Sequence, residues 1–213
     1  MPDIGQLVII LSILLVSLTV HELAHAATAD WLGDPTARRL GRVSLNPLVH
    51  LDPVGSFLLP LMMSVVSPGF IFGWAKPVPV STANLKNGRR DFLVIAAAGP
   101  ASNIVLAASA SVLLGLGLLP SGFGEAPGMP GAVELFVYLN LLLAVFNMVP
   151  IPPLDGGNVL AGLLPEALAA GYDRVVRPFG FVILIVLMYT GWLYRLINPP
   201  LSALANLMGW LQP

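Results

Sequence analysis

The sequence predicts an all-α polytopic membrane protein with about four to six transmembrane helices, folded as a single domain over residues 1–213. Two observations lead there. Of the 213 residues, 56% are hydrophobic and only 10% charged, where a soluble domain carries about 25% charged residues. The apolar residues also gather into long uncharged runs, with glycine and proline at the breaks between them. Two further features exclude function classes. A net charge of −1 leaves no basic stripe to neutralise phosphates, so nucleic acid is not a partner. The chain has no cysteine, which removes disulfides and thiolate metal sites.

The elements follow in order. Residues 4–20, IGQLVIILSILLVSLTV, carry no charge, and their helical pattern can continue through Trp31–Leu32 before Gly33 and Pro35 stop it. Such a helix is roughly 44 Å long at 1.5 Å per residue, more than the ~30 Å hydrocarbon core. Its start lacks the basic n-region of a secretory leader, so it reads as a retained span. Residues 92–119 form a second uncharged run, rich in the Gly, Ala and Ser that let membrane helices approach closely. A third run, 131–154, ends in a proline cluster, and a fourth covers 178–195. The tail, 199–213, is short for a crossing and is expected to form a half-span or interfacial helix.

Residues 53–72, PVGSFLLPLMMSVVSPGFIF, are long enough to cross but are punctuated by Pro60, Pro68 and glycines. If they do not cross, Arg38, Arg39, Arg42, Lys76, Lys86, Arg89 and Arg90 share one side with Arg174 and Arg177. The opposite loop, 120–130, then has neither Lys nor Arg, and Arg195 is the exception. This is the asymmetry of the positive-inside rule. It implies a re-entrant hairpin or an even number of passes, with the N-terminus outside and the basic loops in the cytosol. In FGWAKPVPVS, Pro77 and Pro79 alternate, so both missing N–H groups fall on one edge of a short extended β segment near 72–81. The other edge is free to pair with an unwound substrate.

The first helix carries VSLTVHELAHAAT at residues 16–28. His21 and His25 lie four apart, so one helix face directs both imidazoles at one point. Neutral imidazole is a common zinc ligand, and Glu22 can reach water at the same metal: this is the H-E-x-x-H arrangement with glutamate as general base. In lipid an ionisable side chain is expensive unless paired or functional, and packing alone does not account for three within five positions. Catalytic zinc takes three protein ligands and one open position. His50 and Asp52, in NPLVHLDP, and Asp155, in VPIPPLDGG, are the candidates for the third. Depth favours Asp155. His21 and His25 lie about 26–32 Å along the first helix from Ile4, and Asp155 reaches a similar depth from Gly131 when 53–72 does not cross.

HELAH, GPASN and NMVPIPPLDGG, in this order, resemble the site-2 protease family of intramembrane zinc metalloproteases. GDPTARRLGRVSLNPL and FGWAKPVPV resemble its compact bacterial or archaeal type, so the similarity runs through nearly the whole chain. The resemblance implies that His21, His25 and Asp155 hold one Zn2+ and that Glu22 activates water. It also implies that Gly99–Pro100 and Asn103 lie in the helix packed beside the site, and that this is a catalytic core without a PDZ-like or CBS-like domain. Asn103, Asn140 and Asn147 are buried amides that need partners. For Asn103 and Asn140 interhelical hydrogen bonds are the simpler reading. Asn147, eight residues before Asp155, is a candidate catalytic residue whose NH2 could stabilise an oxyanion.

The expected protein is thus a zinc endopeptidase of the cell membrane, with its active site toward the cytosolic leaflet. It would cleave transmembrane segments, in regulated intramembrane proteolysis or in clearing signal-peptide remnants. Its partners would be the lipid bilayer and a transmembrane protein substrate. A divalent-metal transporter would show ligands along a pathway or symmetric halves, and an idle scaffold of the same fold would have no use for Glu22.

Overall fold

The polar stripe on the first helix decides how the others pack. In the computed structural model, which describes residues 4–52, 55, 76–122, 124 and 130–209, α1 runs Ile4–Trp31. Ile13, Ser17, His21, His25 and Ala29 are buried at every fourth position, which is one face of a helix. That face is small and polar, whereas Leu7, Val8, Leu11, Leu15 and Val16 are exposed. The inverted pattern suits a helix whose surroundings are lipid. Gly33, at φ 107°, supplies the left-handed residue that ends many helices, and the Asp34 N–H donates back to the Ala29 carbonyl at 2.9 Å.

After the short α2, Thr36–Arg39, comes α3, Arg89–Gly115. Its start is held by Asp91, whose carboxylate accepts from the Asn87 N–H at 2.8 Å and Asn87 Nδ2 at 3.2 Å. The buried face of α3 is mostly small, with Ala96, Gly99, Pro100, Ala107 and Ala110. Neighbouring helices can therefore come close, and α3 lies against α1, α4 (Ala132–Asn147) and α5 (Asp155–Leu163). The chain closes with α6, Glu166–Val175, α7, Gly180–Tyr189, and α8, Trp192–Leu207. Leu193, Ile197, Leu201 and Ala205 of α8 complete an apolar core with Val137, Leu141 and Val145 of α4, Ala107 of α3 and Leu184 of α7.

Several expectations need correction. The described residues do not support four to six crossings. Only α1 and α3 are long and apolar enough, and a third span arises if Glu166–Tyr189 and Trp192–Leu207, bent by 82°, count as one. The third run loses its last turns because Pro150, Pro152 and Pro153 have no N–H to continue a helix. This leaves α4 with 16 residues, about 24 Å at 1.5 Å per residue. The fourth run breaks at Gly191, φ 76°. The tail is not separate, since Pro199 and Pro200 lie inside α8.

No strand occurs among the described residues, and residues 76–81 are without regular structure. The ends of that segment are tied to loops instead of to a partner strand: the Lys76 N–H donates to the His50 carbonyl at 2.8 Å, and the Ser81 N–H to Asp34 Oδ2 at 2.7 Å. Residues 72–75 of the expected β segment, and all of the expected 53–72 hairpin except Gly55, lie outside the described residues.

Asp34 gathers the loops at this end. It is fully buried, and its carboxylate also accepts from Thr36 Oγ1 at 2.5 Å, the Thr36 N–H at 3.2 Å and Asn84 Nδ2 at 2.7 Å. Burial pushes its pKa up, but these donors outweigh burial and hold it below the ordinary carboxylate value. The stability it contributes is therefore complete above the unfolded pKa of about 3.9 and is lost as pH falls through the lower folded value. Hydrogen exchange at the Ser81 amide should show protection at neutral pH that collapses in acid. Asp34→Ala should remove that protection at neutral pH and cost about 1–3 kcal/mol, because its donors are left unpaired.

Candidate metal centre

Three side chains from distant parts of the chain converge. His21 Nε2 lies 3.1 Å from His25 Nε2 and 3.1 Å from Asp155 Oδ2, and His25 Nε2 lies 3.4 Å from Asp155 Oδ1. One ligand atom from each residue falls within a 4.8 Å group. The two histidines meet because they are one turn apart on α1. Asp155 reaches them because it opens α5, where its charge also suits the positive end of the helix dipole.

The hydrogen bonds behind the rings define the chemistry. His25 Nδ1 is 2.7 Å from the Ile95 carbonyl oxygen, which can only accept, so Nδ1 carries the proton and Nε2 a lone pair. His21 Nδ1 is 2.6 Å from Asn103 Oδ1 and donates to it in the same way. Two imidazole lone pairs and a carboxylate thus face one another with no donor between them. Such a group repels itself unless a cation joins it, and it is a ligand set that zinc takes in catalytic sites. Space is reserved for an ion as well. A Cβ at Gly99 would lie 2.4 Å from His25 Nε2 and 2.6 Å from His21 Nε2. The residues present fit one metal ion.

The turn before Asp155 is held backbone to backbone. A Cβ on Gly156 would come within 2.3 Å of the Met148 carbonyl oxygen, one on Gly157 within 2.6 Å of Pro152 N, and one on Gly180 within 1.9 Å of the Pro152 carbonyl oxygen. A side chain at any of these positions would push Asp155 away from the histidines.

Glu22 is buried and lines a cavity of about 570 Å³ together with His21, His25, Asp155 and Asn147. Phe92, Phe146, Phe181 and Val78 supply apolar wall. Asn147 turns its Nδ2 to the Leu143 carbonyl on its own helix, at 3.0 Å. The other two candidates for the third ligand are engaged elsewhere. His50 donates from Nε2 to the Ser44 carbonyl at 2.9 Å, and Asp52 Oδ1 accepts from the Gly55 N–H at 2.7 Å. Sequence reasoning did not find the Ile95 carbonyl, because a backbone acceptor leaves no trace in residue type. It treated Asn103 as an interhelical bond. That bond exists, to Asn140 Oδ1 at 2.9 Å, but the other end of the amide reaches His21.

Comparisons with known proteins find zinc metalloproteases. The family model described as Peptidase family M50 matches residues 125–187. "Putative zinc metalloprotease YwhC" of Bacillus subtilis (strain 168) is 36% identical over 196 residues, covering 89% of this chain and 84% of that protein. "Putative zinc metalloprotease Rip2" of Mycolicibacterium smegmatis is 32% identical over 203 residues, covering 91% and 73%. "Putative zinc metalloprotease MJ0611" of Methanocaldococcus jannaschii is 30% identical over 163 residues, covering 75% and 73%. No solved structure gives a significant match.

Gly99→Ala tests the space at the donor atoms. The purified variant should keep the helical circular dichroism of the wild type yet hold far less zinc by mass spectrometry. Zinc at the wild-type level in a folded variant would place the ion elsewhere.

Proposed function

The chain belongs to peptidase family M50, the site-2 protease family of zinc metalloproteases, and from that premise we propose that it is an endopeptidase cutting transmembrane segments inside the bilayer. The observation that carries this reading is the His21–His25–Asp155 group beside Glu22, with both histidines and the glutamate on a helix apolar enough to span. In soluble surroundings the same group would suit any peptide. Here it lies behind apolar walls, on α1 and α5, where a hydrophobic substrate segment can enter.

His21, His25 and Asp155 hold the zinc ion, which when bound supplies a Lewis acid for the scissile carbonyl and lowers the pKa of water. Glu22 takes a proton from the attacking water and passes it to the leaving nitrogen. A C–O bond forms, the peptide C–N bond breaks, and an acid and an amine leave. Asn147 turns its amide from Leu143 toward the developing oxyanion. A transmembrane helix keeps its carbonyls in i→i−4 bonds, so the substrate unwinds before attack. Val78 and Val80 border the cavity and give the unwound chain an apolar surface to lie against. The basic loops support an orientation in the cell membrane with this cavity toward the cytosolic leaflet. Single-span regulatory proteins, anti-sigma factors among them, and leftover signal peptides have the required form.

Glu22→Gln should retain zinc while losing about 10²–10⁴-fold in turnover. His21→Ala and Asp155→Asn should lose the metal itself. Cleavage of a single-span substrate in vesicles, mapped by mass spectrometry, should fall within the apolar segment. Cleavage confined to the polar flanks would overturn the intramembrane reading, and zinc-replete Glu22→Gln with full turnover would remove Glu22 from the mechanism.

A further inference from the structure

The amides buried between α1, α3 and α4 take no part in the proposed reaction, yet they end on a residue that does. Ser17, Asn103 and Asn140 are wholly buried, where an unpaired amide costs about 1–3 kcal/mol. Their bonds form one directed chain. Asn140 Nδ2 donates to the Phe136 carbonyl at 2.8 Å and to Ser17 Oγ at 2.9 Å. The carbonyl can only accept, so the Asn140 amide has a single orientation, and its oxygen accepts from Asn103 Nδ2 at 2.9 Å. The Ser17 carbonyl, at 3.4 Å, favours the same orientation of Asn103. Asn103 Oδ1 is thereby turned to His21 Nδ1, 2.6 Å away.

We propose that Asn140 and Asn103 are positioning residues that fix the tautomer of His21, carrying the acceptor character of the Phe136 carbonyl through two amides to the imidazole. The proposal rests on the reading of His21 as a zinc ligand. If Asn103 flipped, its NH2 would face Nδ1, the ring proton would move to Nε2, and the ligand position would be blocked. His25 is held by a backbone carbonyl, which cannot flip. At His21 a side-chain amide occupies that place, and it needs a second amide to hold it. Interhelical glue alone would require the same bonds but would not link Asn140 to metal affinity.

Two substitutions at Asn140 separate these roles. Asn140→Leu removes the acceptor for Asn103 and frees it to flip. Asn140→Asp keeps only acceptors toward Asn103 and so still draws its NH2. Zinc affinity of the full chain in detergent, by competition with a chromophoric chelator, should fall about 10–100-fold in Asn140→Leu and stay near wild type in Asn140→Asp. Thermal unfolding of the metal-free proteins should rank them the other way, because leucine suits an apolar interior and a buried carboxylate does not. Asn140→Leu binding zinc as tightly as wild type, or Asn140→Asp losing as much affinity as Asn140→Leu, would overturn the proposal. A wild-type chain that takes up no zinc would overturn the proposed function and this inference together. Zinc in the wild type with unchanged affinity in Asn140→Leu would overturn the inference alone.

Discussion

Mutual repulsion among like-natured donors is the constraint on which this structure depends. Two imidazole lone pairs and a carboxylate meet at distances of 3.1 to 3.4 Å, and with both Nε2 atoms unprotonated they repel unless a cation lies between them. They are brought there by the rest of the fold. The Ile95 carbonyl and the Asn103 amide grip the rings from behind, and the glycines after Asp155 let α5 seat against the proline turn. A bundle stabilised only by apolar contacts could relax by sliding its helices apart. Here sliding would strand the Ser17 hydroxyl of α1 and the buried amides of α3 and α4, so the polar chain that serves His21 also resists that motion.

Small residues make the convergence possible. Gly99 stands where any side chain would occupy the meeting point, and Ala96, Ala107 and Ala110 continue the same face of α3. Close helix approach and metal binding are therefore one design on this helix. The apolar core formed with α8 reaches the site through Leu154, which precedes Asp155 and lines the cavity.

Much of this could be read from the residues, and the failures are instructive. α1 was legible almost to the residue, because an uncharged run ending at Gly33 and Pro35 leaves few alternatives. The spacing of His21 and His25 made their shared face certain once the helix was granted. Asp155 was legible only indirectly, through an argument about depth and the resemblance of its motif. Among the described residues the span count falls short because hydropathy does not register what Pro150, Pro152 and Pro153 do to hydrogen bonding, and it passes over the bend at Gly191. The β segment failed for a related reason: alternating prolines forbid pairing on one edge but do not create a partner for the other. The role of Asn103 was hidden because a residue type reveals the need for a partner and not the partner's identity.

The separation of the ligands along the chain has a consequence for the birth of the molecule. His21 and Asp155 are 134 residues apart, and the turn beside Asp155 is packed through Gly156 against Met148 and through Gly157 and Gly180 against Pro152. A ribosome delivers the histidine pair early and its carboxylate late. Until the stretch around Gly180 has emerged, the proline turn before Asp155 lacks one of its close backbone neighbours. The three-residue group thus assembles only after the segments that form α1, α3 and α4 have all been made, so the helices that frame the group precede its completion.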